Sequence, residues 1–182
     1  MSEEGFDELA RLRDTYDYPR VGAVYTSPLR RCIQTAEFLY PNSLLTVVDG
    51  LQEMDFGAFE GKTIEELEGE ESFGRWLADS AHNAPPDGET GLQMAERLVG
   101  AVSEVLAHMM QNRITSAAVV THAGVINTLL SLCGFPQREF GSWSVENGKG
   151  YTVLLSAQMW MRDNRFEIYD TVPSMLEEGD NR

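Results

Sequence analysis

Positive charge is scarce in this sequence: 14 Lys and Arg stand against 29 Asp and Glu, a formal net charge of −15 over 182 residues. Binding to a nucleic-acid backbone rests on clustered Lys and Arg, so the balance argues against a nucleic-acid partner, and any anion bound here must sit in a pocket. The acidic clusters at 65–71 and 177–180 read as solvated surface. Cysteine is nearly absent as well. Cys32 and Cys133 lie far apart, with no Cys-x-x-Cys pair and no Cys/His cluster to complete a zinc site, which points to a reduced, cytoplasmic chain. No apolar run approaches the roughly 18 residues a membrane helix needs. The acidic start, residues 1–8, has no apolar stretch behind it of the kind a signal peptide carries, so no membrane partner is expected. Internal repeats, low-complexity tracts and Gly/Ser linkers are missing too.

What is present suits one ordinary domain. Hydrophobic residues make up 42% and charged residues 24%, and a chain of this length buries roughly 70% of the surface its unfolded form exposes. One domain is expected over 1–175, with a loose tail at 176–182. The patterning alternates between strands and helices. Residues 5–15 read as a helix, and Val21 to Thr26 as a short apolar strand. Ser27-Pro28 looks like the N-cap and first position of a second helix, running to about Tyr40. Leu44 to Val48 reads as another strand and 51–61 as a loop. Thr63 with Glu66 and Thr90 with Gln93 form two capping boxes, the second opening a long amphipathic helix to about Gln111. Residues 117–121, Ala-Ala-Val-Val-Thr, read as a strand buried on both faces of a parallel sheet. A helix follows at 125–132. Two last strands, 151–156 and 165–169, are expected as an antiparallel hairpin around Asp163-Asn164.

Two of these strand-to-helix junctions carry a side chain able to hold an anion. Arg30 and Arg31 lie in the first turn of the second helix, and His122 ends the buried strand where the next helix begins. In open α/β sheets ligands gather beyond the carboxyl ends of strands, where helix N-termini offer free N–H groups and positive dipole ends. Taken singly, an exposed Arg, a lone His and a loop carboxylate such as Glu53 are ordinary features.

Together they form a pattern. Residues 27–36 (Ser-Pro-Leu-Arg-Arg-Cys-Ile-Gln-Thr-Ala), 51–61 (Leu-Gln-Glu-Met-Asp-Phe-Gly-Ala-Phe-Glu-Gly), Gly88-Glu89-Thr90 with Arg97, and 119–126 (Val-Val-Thr-His-Ala-Gly-Val-Ile) resemble, in order and spacing, the successive motifs of the histidine phosphatase superfamily. The resemblance implies a phosphoglycerate-mutase-like α/β fold: three layers, αβα, around a mostly parallel sheet with an antiparallel edge hairpin. It implies Arg31 as a bidentate phosphate ligand, Glu53 as the proton donor to the leaving alkoxide, and His122 as a donor that stabilises charge on the phosphoryl oxygens. The resemblance also implies the Ala123 N–H as a further phosphate donor, and Arg30 matches a variable surface position. The partner would be a small phosphorylated metabolite or inorganic phosphate, with no cofactor and no metal. The wording around Glu53 and the short spacing from Glu53 to His122 look closer to the small phosphatases, including α-ribazole phosphatases, than to phosphoglycerate mutases, which stand as the alternative.

One motif has no counterpart. The family's phosphoryl acceptor is the histidine of an Arg-His-Gly at the end of its first, central strand, and neither Arg-His nor His-Gly occurs among these residues, which hold three histidines in all. Residues 2–9 resemble the stretch that follows that motif. The sequence is therefore expected to start downstream of its nucleophile, N-terminally truncated and lacking the first strand. Of the other histidines, His108 is expected at the surface and His82 in a loop bordering the pocket. A chain of this kind would be inactive or impaired, or a non-catalytic phosphate-ligand-binding remnant, and the strand edge left open would favour a homodimer.

Overall fold

The computed structural model describes residues 1–175; the tail expected at 176–182 lies outside them. The fold grows from the most apolar strand. In β2 (Ala23–Thr26) all four residues are buried, as a strand covered on both faces requires. It pairs in parallel with β3 (Leu45–Val47) on one side and β4 (Ala117–Val120) on the other, giving the order β3-β2-β4. The register sets Thr26 against both Val47 and Val120. The segments after these three strands therefore leave the sheet at one end, and the site lies there.

The helices begin and end largely where local chemistry dictates. α1 (Glu3–Thr15) is capped by Ser2, whose Oγ accepts the Gly5 N–H at 3.2 Å. α3 (Ile64–Leu67) and the 21-residue α5 (Gly91–Gln111) both open with the full capping boxes expected at Thr63/Glu66 and Thr90/Gln93. α4 spans Glu71–Ala78, and Phe59, Leu67 and Phe73 form a small core beside it. One face of α5 sends Ala101 and Val105 against Tyr25, Val48 and Leu51. Another packs Val99, Val102 and Leu106 on a second core of Leu130, Cys133, Trp143, Trp160 and Phe166.

That second core belongs to a separate three-stranded sheet, β5 (Gly134–Phe135), β7 (Phe166–Val172) and β6 (Gly150–Leu154), in the order β5-β7-β6. A two-residue pairing of β1 (Tyr16–Asp17) with β8 (Ser174–Met175) completes the strands. The architecture is α/β with a parallel sheet and antiparallel strands, as expected, with four differences in detail. The second helix, α2 (Arg30–Leu39), starts after Leu29 rather than at Pro28, because Leu29 keeps an extended backbone, φ −70° and ψ 132°, and serves as the N-cap. The helix after β4, α6 (Ala123–Cys133), begins two residues early, with His122 as its N-cap. Strands β6 and β7 are antiparallel, but a helix, α7 (Ala157–Asp163), joins them where a tight turn was expected. And β4 is not buried on both faces: none of its residues is fully buried, and Val119 is 45% exposed. Among the described residues nothing pairs with its second edge, so the parallel and mixed strands form two sheets rather than one.

Candidate functional site

His122 is the centre of the site. It stands two residues past β4 as the N-cap of α6, and the residue is only 6% exposed. Arg31, in the first turn of α2, donates to the ring Nδ1 from Nη2 at 2.9 Å and from Nε at 3.2 Å. A guanidinium has no acceptor, so Nδ1 presents its lone pair and the proton of the neutral ring sits on Nε2. That N–H points at the Ser27 Oγ, 2.8 Å away. Burial, and then the adjacent Arg31 charge, push the His122 pKa down to about 4, so the ring is neutral at pH 7.

Ser27 is fully buried one residue past β2. Its Oγ also accepts the Leu29 N–H at 3.3 Å. Because His122 donates to it, the imidazole cannot draw the proton from this hydroxyl, and Ser27 is not an activated nucleophile in this arrangement. Cys32 completes the floor, with Sγ 3.5 Å from Nε2 and 3.7 Å from Nδ1 of His122. Burial raises its pKa to about 11, against the lowering effects of Arg31 and Ser27, so it stays a thiol.

Glu53 enters from the loop after β3. A 3-10 turn (Asp49–Leu51) ends the strand segment, and the Thr121 Oγ1 donates to the Leu51 carbonyl at 2.7 Å, tying this loop to the residue before His122. The Glu53 Oε1 accepts the Met54 N–H at 3.0 Å. Its carboxylate lies over Gly124 in the first turn of α6: a Cβ there would stand 2.5 Å from Oε1. Its charge also reaches Cys32, whose thiolate it disfavours. Arg97 on α5 holds the same loop from behind, donating to the Gly50 and Gln52 carbonyls and to Glu89.

The structure thus gathers Arg31, Glu53, His122 and Ala123 around one point. Arg31 and Ala123 are exposed, Glu53 half-buried and His122 buried. Arg30 is exposed. Ala123 is the first residue of α6, an 11-residue helix whose opening N–H groups have no partner within the helix and whose positive end favours an anion. The other histidines stay apart. His82 pairs with Asp79 at 2.9 Å, and His108 is exposed but takes the Tyr25 hydroxyl on its Nδ1 at 2.8 Å. Neither is hydrogen-bonded to Arg31, Glu53 or His122 among the described residues. Three participants were not visible as such in the sequence. Ser27 reads as a helix cap, Cys32 as a lone cysteine with a motif position but no role, and the Arg97–Glu89 pair has a motif position but no evident task.

The sequence profile of the histidine phosphatase superfamily (branch 1) matches residues 1–162. The structure is similar to the α-ribazole phosphatase of Shigella flexneri, with a TM-score of 0.78 at 19% identity over 98% of this chain and 87% of that one. It is also similar to the phosphoglycerate mutase of Bacillus anthracis, with a TM-score of 0.72 at 18% identity over 93% and 80%. Both likenesses concern the fold. A Hydrogenobacter thermophilus protein named "Putative phosphoserine phosphatase 2" is 27% identical over 132 residues, 70% of this chain and 63% of the relative's own length. Among the described residues no helix is long and apolar enough to cross a membrane.

Proposed function

Because the chain belongs to the histidine phosphatase superfamily (branch 1), we propose that its site takes the phosphate group of a small phosphorylated metabolite, as the phosphate-handling half of a phosphomonoesterase. The observation that carries the reading is the meeting of Arg31, His122 and the start of α6 on one side with the Glu53 carboxylate on the other.

In the free site Arg31 is spent on the His122 Nδ1. An arriving phosphate offers the guanidinium a better acceptor, two oxygens in its own fork geometry. Its negative charge also favours protonation of His122. The ring then gains a second N–H, at Nδ1, where it had accepted from Arg31. The new Nδ1–H, the Arg31 fork and the Ala123 N–H neutralise the equatorial oxygens as charge builds on them, while Nε2–H stays on the Ser27 Oγ and holds the ring in place. Glu53, on the far side, is placed to give its proton to the ester oxygen as it leaves, in a step that also needs an acceptor, a nucleophile or water, to take the phosphoryl group.

A phosphoryl acceptor is not supplied by these residues: Ser27 accepts from His122, Cys32 stays protonated, and the other two histidines bond elsewhere. This favours a second reading, a phosphate-binding protein with little or no turnover. One experiment separates the two. Hydrolysis of an aryl phosphate and thermal stabilisation by inorganic phosphate are measured on the chain, on Arg31→Ala, on His122→Ala and on the double variant that carries both. Arg31→Ala is expected to weaken phosphate binding roughly 10- to 100-fold, the worth of hydrogen bonds to a charged group. Turnover above that of the double variant supports the hydrolase. Binding without turnover supports the second reading, and a chain that phosphate does not stabilise sinks both.

A further inference from the structure

We propose that Arg97, Glu89 and Gly124 are positioning residues that together fix the Glu53 carboxylate. Their purpose rests on the reading of Glu53 as a proton donor; their geometry does not.

Among its described contacts Glu53 makes one hydrogen bond, to the amide of its own neighbour Met54. A carboxylate held by one local bond on an irregular loop is a poor candidate for a group that must meet a single oxygen. The constraint comes from the residues on either side of it. Arg97 Nη1 donates to the Gly50 carbonyl at 2.8 Å and to the Gln52 carbonyl at 3.1 Å, fixing the chain just before Glu53. The other edge of the same guanidinium meets Glu89, through Nε at 3.2 Å and Nη2 at 2.5 Å. Glu89 in turn fixes the chain just after Glu53: its Oε1 accepts the Asp55 N–H at 3.1 Å, and its own N–H donates to the Asp55 carbonyl at 3.0 Å. The two side chains are only 20% and 16% exposed, so solvent weakens this pair less than a surface one. Lysine could not replace the arginine, since a point charge cannot span carbonyls on one side and a carboxylate on the other.

Gly124 sets the opposite wall. Glycine in a helix costs about 1 kcal/mol against alanine, and the Gly124 backbone is helical with no positive φ to require it. What glycine leaves free is the space the carboxylate fills: an added Cβ would meet Oε1 at 2.5 Å, Cδ at 3.1 Å and Oε2 at 3.2 Å of Glu53, and that flexible carboxyl would have to shift. A methyl group there would push the carboxylate off its place. Gly100 on α5 is the contrasting case, with nothing within 4 Å of its added Cβ.

The Met54 amide reports on the placement directly. Its NMR shift, followed against pH in the full chain, is expected to track protonation of Glu53, and Glu53→Gln should abolish that movement. Arg97→Met and Gly124→Ala are each expected to lower the bonded-to-free ratio that the movement reports about fivefold, the change that loss of one ordinary hydrogen bond's worth of stabilisation brings. Arg97→Lys should fall between, and Gly100→Ala should match the parent. If Arg97→Met does not fold, Gly124→Ala decides alone, because it acts from the other side without touching the ion pair. A Met54 amide that does not titrate in the parent, or one that moves fully in folded Gly124→Ala, overturns the proposal. Failure of phosphate binding would leave the amide result intact, so the two readings fail separately.

Discussion

A neutral imidazole between a guanidinium and a hydroxyl makes His122 a pH sensor for the folded state. Its native pKa of about 4 lies below the unfolded value near 6.5, so the native state binds fewer protons than the unfolded chain between those limits. Its contribution to stability is therefore intact above about pH 6.5 and is lost as pH falls, by on the order of 2 kcal/mol between pH 6.5 and pH 5. Denaturant titrations over that range should show the slope, and His122→Asn should flatten it. Equal slopes in parent and variant would place the acid sensitivity elsewhere. Phosphate should reverse part of the effect, since a bound anion favours the protonated ring. At this scale Arg31, Glu53 and His122 were legible because each stands at a recognisable strand end or loop in a motif. Ser27 was not. Its Ser-Pro wording is a local helix-start pattern, but its hydroxyl bonds a histidine 95 positions away, and no local rule contains that partner.

Elements were legible wherever their ends are local. The Thr90/Gln93 box closes within one helical turn, with Thr90 Oγ1 accepting the Gln93 N–H at 3.1 Å and the Gln93 Oε1 accepting the Thr90 N–H at 2.8 Å. Thr90→Ala should cost about 1 kcal/mol of stability, and thermal unfolding checks it; because Glu89 precedes the cap, the loss should also loosen the loop around Asp55. A shift no larger than that of an exposed substitution elsewhere on α5 would mean the box contributes little. The connection between β6 and β7 shows the opposite case. Asp163-Asn164 has turn chemistry, and Asn164 does take the left-handed conformation, φ 51° and ψ 48°, but as the C-cap of α7. Ser156, which caps that helix by accepting the Met159 N–H, was read as the end of a strand. One left-handed residue serves a hairpin or a helix end equally well; what decides is Trp160, whose burial against Phe166 needs the helix.

At the scale of the molecule, the exposure of β4 could not be read from its residues. Four small and β-branched apolar side chains predict burial, but burial depends on what lies alongside, and the described residues place nothing on that edge. The edge has no charge and no proline to blunt it. Across the other sheet β6 also ends in exposed apolar residues, Val153 at 36% and Leu154 at 47%. A second copy of the chain is the expected occupant, so sedimentation should show concentration-dependent association that Val119→Lys suppresses. A parent that sediments as a monomer at all concentrations would contradict this.

The division into two sheets also bears on how the protein holds together under load. α5 packs on both halves: Ala101 and Val105 face the β3-β2-β4 sheet, while Val99, Val102 and Leu106 face the core beside β5-β7-β6. No strand hydrogen bond bridges the halves among the described residues. Torsion of one sheet against the other is therefore resisted by side-chain packing on the α5 shaft and by α6, whose chain runs from the end of β4 into β5. Arg97 is a residue of that shaft, so the loop bearing Glu53 is anchored to the part on which both sheets turn.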